Sequence, residues 1–164
     1  MMKTLLVFFF AIVVHFSLAA GEEISGKVKS VVDGNTLEIE DENNEIQVVH
    51  LYGIDCPELN QEYGDDAKSF LEKLVLKKKV TFSVTGKDRW GKQLAIVLIN
   101  GRVDVRMEIL KEGLAWTAES NPQQELETVK EMAKEGAKGL WKQNDSTPPW
   151  VFRRQQTMLQ PKES

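Results

Sequence analysis

Between Ile24 and Glu40 the chain alternates branched and polar side chains on both sides of the break DGNT, in the pattern ISGKVKSVV then LEIE. That alternation predicts two strands around a turn. After the polar loop DENNE the same character returns in IQVVHLYGI, a third strand. From Glu62 to Lys77 the period changes, because Ala67, Phe70, Leu71, Leu74 and Val75 fall on one helical face. KVTFSVT and LAIVLIN then read as two more strands, joined by the exposed connection GKDRWGKQ. Asn100 and Gly101 end the last of these, and Asp104 caps a short helix that stops at Gly113. Asn121 and Pro122 read as the cap and first position of a further helix, with Leu126, Val129, Met132, Ala133 and Ala137 as its buried stripe. The tail over 143–164 contains Pro148, Pro149 and Pro161 without a period and is expected to be extended. The element order predicts an α+β domain over 24–142, a small five-stranded barrel closed at one side by about three helices.

Composition adds a compartment and removes some partners. Lys3, the apolar run LLVFFFAIVVHFSL and the small residues AAG predict a signal peptide over residues 1–20, hence export to the periplasm or the extracellular space. The run is shorter than the roughly 20 residues of a spanning helix, and no later segment is expected to cross a bilayer. Without the leader 144 residues remain, enough for one ordinary core. Cys56 is the only cysteine, so stability rests on packing rather than on an internal disulfide. The formal charge is −4, or −5 once Lys3 leaves with the leader, which opposes a whole-surface clamp on nucleic acid. Any contact with a polyanion must be local.

The stretch VHLYGIDCPE places Asp55 and Glu58 three residues apart at the end of the third strand. Taken alone, the two are a strand-end carboxylate capping a turn and a solvated acid, or the acidic edge of a metal site. Asp33, His50, Asp55 and Cys56 are a second, transition-metal alternative. Lys87, Arg89, Lys92 and the run Lys77 to Lys79 are candidates to line a groove for an anionic ligand, with Trp90 and Trp116 available for stacking on bases. Trp141 is expected in the core, Cys56 as a small packed residue, and the group Trp150, Arg153 and Arg154 names no partner.

Taken together, VVDGNTLEI, VHLYGIDCPE, EYGDDAKSF, KDRWGK, EILKEGLAW and GLW resemble the thermonuclease, or staphylococcal-nuclease-like, family in order and spacing. The tail segment PPWVFRR resembles the ends of bacterial envelope members. The resemblance implies an OB-fold barrel with flanking helices and, typically, a calcium-dependent phosphodiesterase acting on DNA and RNA. Carried over residue by residue, it implies that Asp55 is a metal-binding aspartate and Glu58 the carboxylate that works on water. Three matching positions depart from the pattern. Asn35 stands where the family has its first metal-binding aspartate, and His50 and Lys92 stand where it has arginines. Asn35 lacks a charge, and neither replacement presents an arginine's planar fork of donors to a phosphate. Removing one preorganised donor typically costs ~10² to 10³ in rate. Calcium binding is therefore expected to be weak or absent, and the chain to act as a binding or interaction module for nucleic acid, another anionic ligand or a protein. The alternatives are a working or weakly working endonuclease with altered metal or pH dependence, and a structural partner in an envelope assembly.

Overall fold

The computed structural model describes residues 23–159. The leader expected over 1–20 and residues 160–164 of the tail lie outside the described residues.

Alternation in the sequence becomes a closed barrel. Strands β1 (Glu23–Asp33), β2 (Thr36–Asp41) and β3 (Ile46–Leu51) form an antiparallel meander whose inward side chains include Val28, Val31, Leu37, Ile39, Val49 and Leu51. Tyr52 and Gly53, the latter at φ +82°, turn the chain into the two-residue β4 (Ile54–Asp55). The helical stripe forms α1 (Gly64–Val75), burying Ala67, Leu71 and Val75. Strand β5 (Lys79–Lys87) pairs antiparallel with β1, and β6 (Gln93–Ile99) with β5. Closure comes from a parallel pairing of β3 with β6, Val49 opposite Gln93 and Leu51 opposite Ala95. The expected five-stranded α+β barrel is thus present, built from β1, β2, β3, β5 and β6.

The short β7 (Val103–Asp104) leads into α2 (Val105–Lys111), where the Asp104 carboxylate accepts from the Arg106 N–H and caps the helix as expected. Arg106 itself is 2 % exposed, a buried cation that no sequence pattern singled out. Its guanidinium is forked onto Asp104 (2.6 Å and 3.0 Å) and donates to the Tyr52 carbonyl at 3.0 Å, fixing the turn that precedes the acidic stretch. Strand β8 (Trp116–Thr117) pairs with β4, and helix α3 (Gln124–Glu135) follows.

Two expectations are corrected here. Helix α3 starts after Gln123, because Asn121 adopts φ +56° and belongs to the preceding turn rather than to a cap. Leu126 and Ala133 are buried and Val129 partly so, but Met132 is 66 % exposed and Ala137 lies past the helix end. The tail is not extended throughout. Pro149–Leu159 is a helix, α4, in which Pro149 occupies the first turn, where a missing N–H costs nothing. The N–H groups of Val151 and Phe152 both donate to the Pro148 carbonyl at 3.0 Å. Among the described residues the barrel is thus accompanied by α1, α2 and α3, as expected, and by α4 in the tail. Among the described residues no helix is long and apolar enough to cross a membrane.

Candidate active-site cleft

Separate pieces of chain meet at one end of the barrel. In the β1–β2 turn the Asn35 N–H donates to Asp33 Oδ1 at 2.9 Å, and the Asn35 carbonyl accepts from the Leu51 N–H at 2.8 Å, which ties the turn to the end of β3. Gly34 permits this approach, since a Cβ there would lie 2.7 Å from that of Cys56 and 2.8 Å from that of Ala67. Glu58 is held through its backbone. Its N–H donates to Gln61 Oε1 at 3.2 Å and its carbonyl accepts from the Gln61 N–H at 2.8 Å. A Cβ on Gly64 would come within 2.0 Å of that carbonyl, so α1 can begin so close only at a glycine. Across the cleft, Asp88 organises the β5–β6 tip by accepting from the Trp90 and Lys92 N–H groups at 2.8 and 2.9 Å. Asp33, Asn35, His50, Asp55, Glu58 and Lys92 line one cleft of about 600 Å³. The five positions matched to the family's site, Asn35, His50, Asp55, Glu58 and Lys92, are thus neighbours along one cleft.

His50 is half-buried, pairs across the strands with Thr36, and has Nδ1 3.1 Å from Thr36 Oγ1. Burial, assisted by the Lys92 charge, pushes its pKa down from the ordinary value against the opposing pull of Asp33, Asp88 and Asp55. At neutral pH it is an uncharged imidazole. Lys92 is exposed at the cleft mouth.

The residue that sequence reasoning missed is Arg153, projected from α4 into the cleft. Its Nη2 donates to Asp55 Oδ2 at 2.7 Å, and its Nη1 to Asp55 Oδ1 at 3.2 Å and to Glu58 Oε1 at 2.8 Å. Burial pushes the Asp55 carboxyl up, and the Arg153 hydrogen bonds and charge pull it back. The net direction remains upward, so the guanidinium offsets the effect of burial only in part. A signal was present: proline followed by WVFRRQQTML reads as a helix start, with the arginines on its second turn.

The remaining candidates separate. Trp90 is 65 % exposed, with the Arg89 guanidinium 4.0 Å from its ring centre. With Lys87, Trp150 and Arg154 they line a wider groove of about 1120 Å³ that continues the cleft between the β5–β6 tip and α4. Trp116 is buried and packs edge-on against half-buried Trp141 at 5.2 Å, so it is not available for stacking. Lys77, Lys78 and Lys79 join α1 to β5, away from the cleft. The transition-metal grouping is not assembled: Cys56 is buried with its thiol on the Gly34 carbonyl at 3.2 Å, and burial pushes that thiol up. Among the described residues no three His, Cys, Asp or Glu side chains are placed to hold a metal.

A closed mixed barrel with flanking helices and an acidic pair at one end defines a nuclease-like class of fold. The model of the staphylococcal nuclease homologues matches residues 48–143. An uncharacterized endonuclease of Escherichia coli O157:H7 is 33 % identical over 132 residues, covering 80 % of this chain and 86 % of that protein. One of Haemophilus influenzae is 32 % identical over 158 residues, covering 94 % and 86 %. A micrococcal nuclease of Shigella flexneri is 28 % identical over 156 residues, covering 88 % of each. The chain belongs to the staphylococcal nuclease family. That family is in general calcium-dependent, and calcium takes six to eight oxygen ligands with carboxylates prominent among them. The cleft as arranged does not fit that ion, since Asp55 has both oxygens committed to Arg153, Glu58 shares the same guanidinium, and Asn35 offers only a neutral amide.

Proposed function

We propose that the protein keeps the nuclease barrel as a binding module for an anionic ligand, nucleic acid in the first instance, and has lost efficient calcium-dependent phosphodiester hydrolysis. The observation that carries this reading is the state of position 50. Steadying the charge of a phosphorane calls for a fixed cationic donor, and here a half-buried imidazole rests on Thr36 with its pKa pushed down by burial. Loss of such a donor typically removes ~10² to 10³ in rate, and the effects of Asn35 and Lys92 need not multiply with it, since residues that act as a unit are non-additive. Binding needs less. Lys87, Arg89 and Lys92 supply charge at the β5–β6 tip, and exposed Trp90 supplies a face on which a base can stack.

A second reading, a nuclease that still turns over, is favoured by one feature. Glu58 remains in the cleft with its backbone fixed, in a chain two of whose relatives described above are named endonucleases. Incubation of the purified protein with single- and double-stranded DNA and RNA, from pH 5 to 10 with calcium, magnesium, manganese or zinc, separates the two. The proposal expects no cleavage above background with calcium at neutral pH. Turnover that disappears in Glu58→Gln would overturn it. Asn35→Asp, His50→Arg and Lys92→Arg combined are expected to raise cleavage by at least about 10².

A further inference from the structure

Helix α4 is covered only over its first turn, and beyond that its contact with the barrel is charged. Pro149 is its one buried residue, and from Arg153 onward its described side chains are exposed. The segment before it is pinned by Gln61 Nε2 on the Thr147 carbonyl and by Gln143 Nε2 on Glu62 Oε1, both at 2.6 Å. Trp150, Val151 and Phe152 are half-buried at the start of the helix, and the Arg153 fork on Asp55 and Glu58 is its charged contact with the barrel. Arg154 adds only a 3.7 Å contact with Glu119 between two exposed side chains, which is worth little.

A guanidinium bridging two carboxylates occupies the space between them and takes three of the four oxygens that a divalent ion would use. We infer that Arg153 is a specificity-determining residue of the cleft: it is the resident cation of the Asp55–Glu58 pair, and it excludes divalent metal for as long as α4 is docked. The inference rests on reading those two carboxylates as the family's metal-side and water-side acids. It does not rest on whether cleavage has been lost. Since a metal ion and the guanidinium compete for the same oxygens, the coupling is reciprocal. Metal binding must loosen α4, and loosening α4 must favour metal. The apparent affinity for metal is lowered by the small fraction of molecules in which the helix is undocked.

Arg153→Gln removes the competitor while leaving the carboxylates in place. Calcium and manganese titrations by calorimetry are expected to give at least about tenfold tighter binding for Arg153→Gln than for the unaltered protein. Arg153→Lys, which keeps the charge but not the fork, should fall between them. Hydrogen exchange supplies a readout that needs no variant. In the unaltered protein the amides of 150–159 should exchange faster at saturating manganese than without metal. Equal or weaker metal binding by a folded Arg153→Gln, including no binding by either protein, overturns the inference. So does unchanged exchange of α4 at saturation. Faster cleavage by the unaltered protein than by Arg153→Gln would instead make Arg153 a clamp on substrate, and would also overturn it. Calcium-dependent cleavage by the unaltered protein, with tighter metal binding by Arg153→Gln, would sink only the proposed loss of hydrolysis.

Discussion

His50 sits at the third position of the VVHL run in β3, where the strand passes from the barrel wall to the cleft. Its burial and its neighbour Lys92 make protonation harder in the folded state than in the unfolded chain. The sign of the linkage follows. As pH falls through the ordinary histidine value of 6.5, the unfolded chain takes up a proton that the folded protein does not, so the unfolded state gains. Stability is whole above that value, declines as pH falls below it, and stops declining once the folded imidazole is also charged. His50→Gln removes the group. Urea midpoints measured at pH 7.5 and pH 5.5 should drop for the unaltered protein and stay nearly level for the variant. With His15 in the expected leader, His50 is the only histidine of the described chain, so no other imidazole can mask the result.

The turn between β1 and β2 shows what the sequence makes legible at the level of an element and what it does not. DGNT reads as a turn from its residue types, but the reason for Gly34 is tertiary: the turn is pressed against Cys56 and α1, with Cβ positions under 3 Å. Gly34→Ala should therefore cost about 1 to 3 kcal/mol through overpacking, seen as a lower urea midpoint at constant slope. Gly86→Ala, with nothing within 4 Å of the added carbon, should stay within about 0.5 kcal/mol. The barrel strands and α1 were readable because half-buried strands and one-sided helices carry their period in the sequence. The α2 cap was readable because capping is local, between Asp104 and Arg106. Helix α4 is hidden in the sequence because a stretch with three prolines and no period predicts an extended tail, whereas Pro149 stands in a first turn. Arg153 was missed for a different reason. Its partners Asp55 and Glu58 lie 98 and 95 residues earlier, and a charge pair at that separation leaves no periodic trace.

For the molecule as a whole, a formal charge of −4 and a proposed polyanionic ligand are compatible only if the favourable potential is confined to one rim. The β5–β6 tip provides such a rim, with Lys87, Arg89 and Lys92 within six residues beside the exposed ring of Trp90. Arg153 adds no net attraction while both carboxylates hold it, and Arg154 is shared with Glu119. About three cations are therefore left to displace counterions from a single strand. Each phosphate neutralised contributes about −0.7 to the slope of log affinity against log salt, so the expected slope is about −2. It should be the same with EDTA as with calcium. Replacing Lys87, Arg89 or Lys92 singly by alanine should lower the slope by about 0.7 for each residue, whatever the base sequence. Trp90→Ala should weaken binding about 10-fold with the slope unchanged, because stacking carries no charge. Fluorescence anisotropy of labelled single-stranded oligonucleotides over 50 to 300 mM salt measures both. A slope near zero, or binding that appears only with metal, would remove the β5–β6 tip as the contact surface.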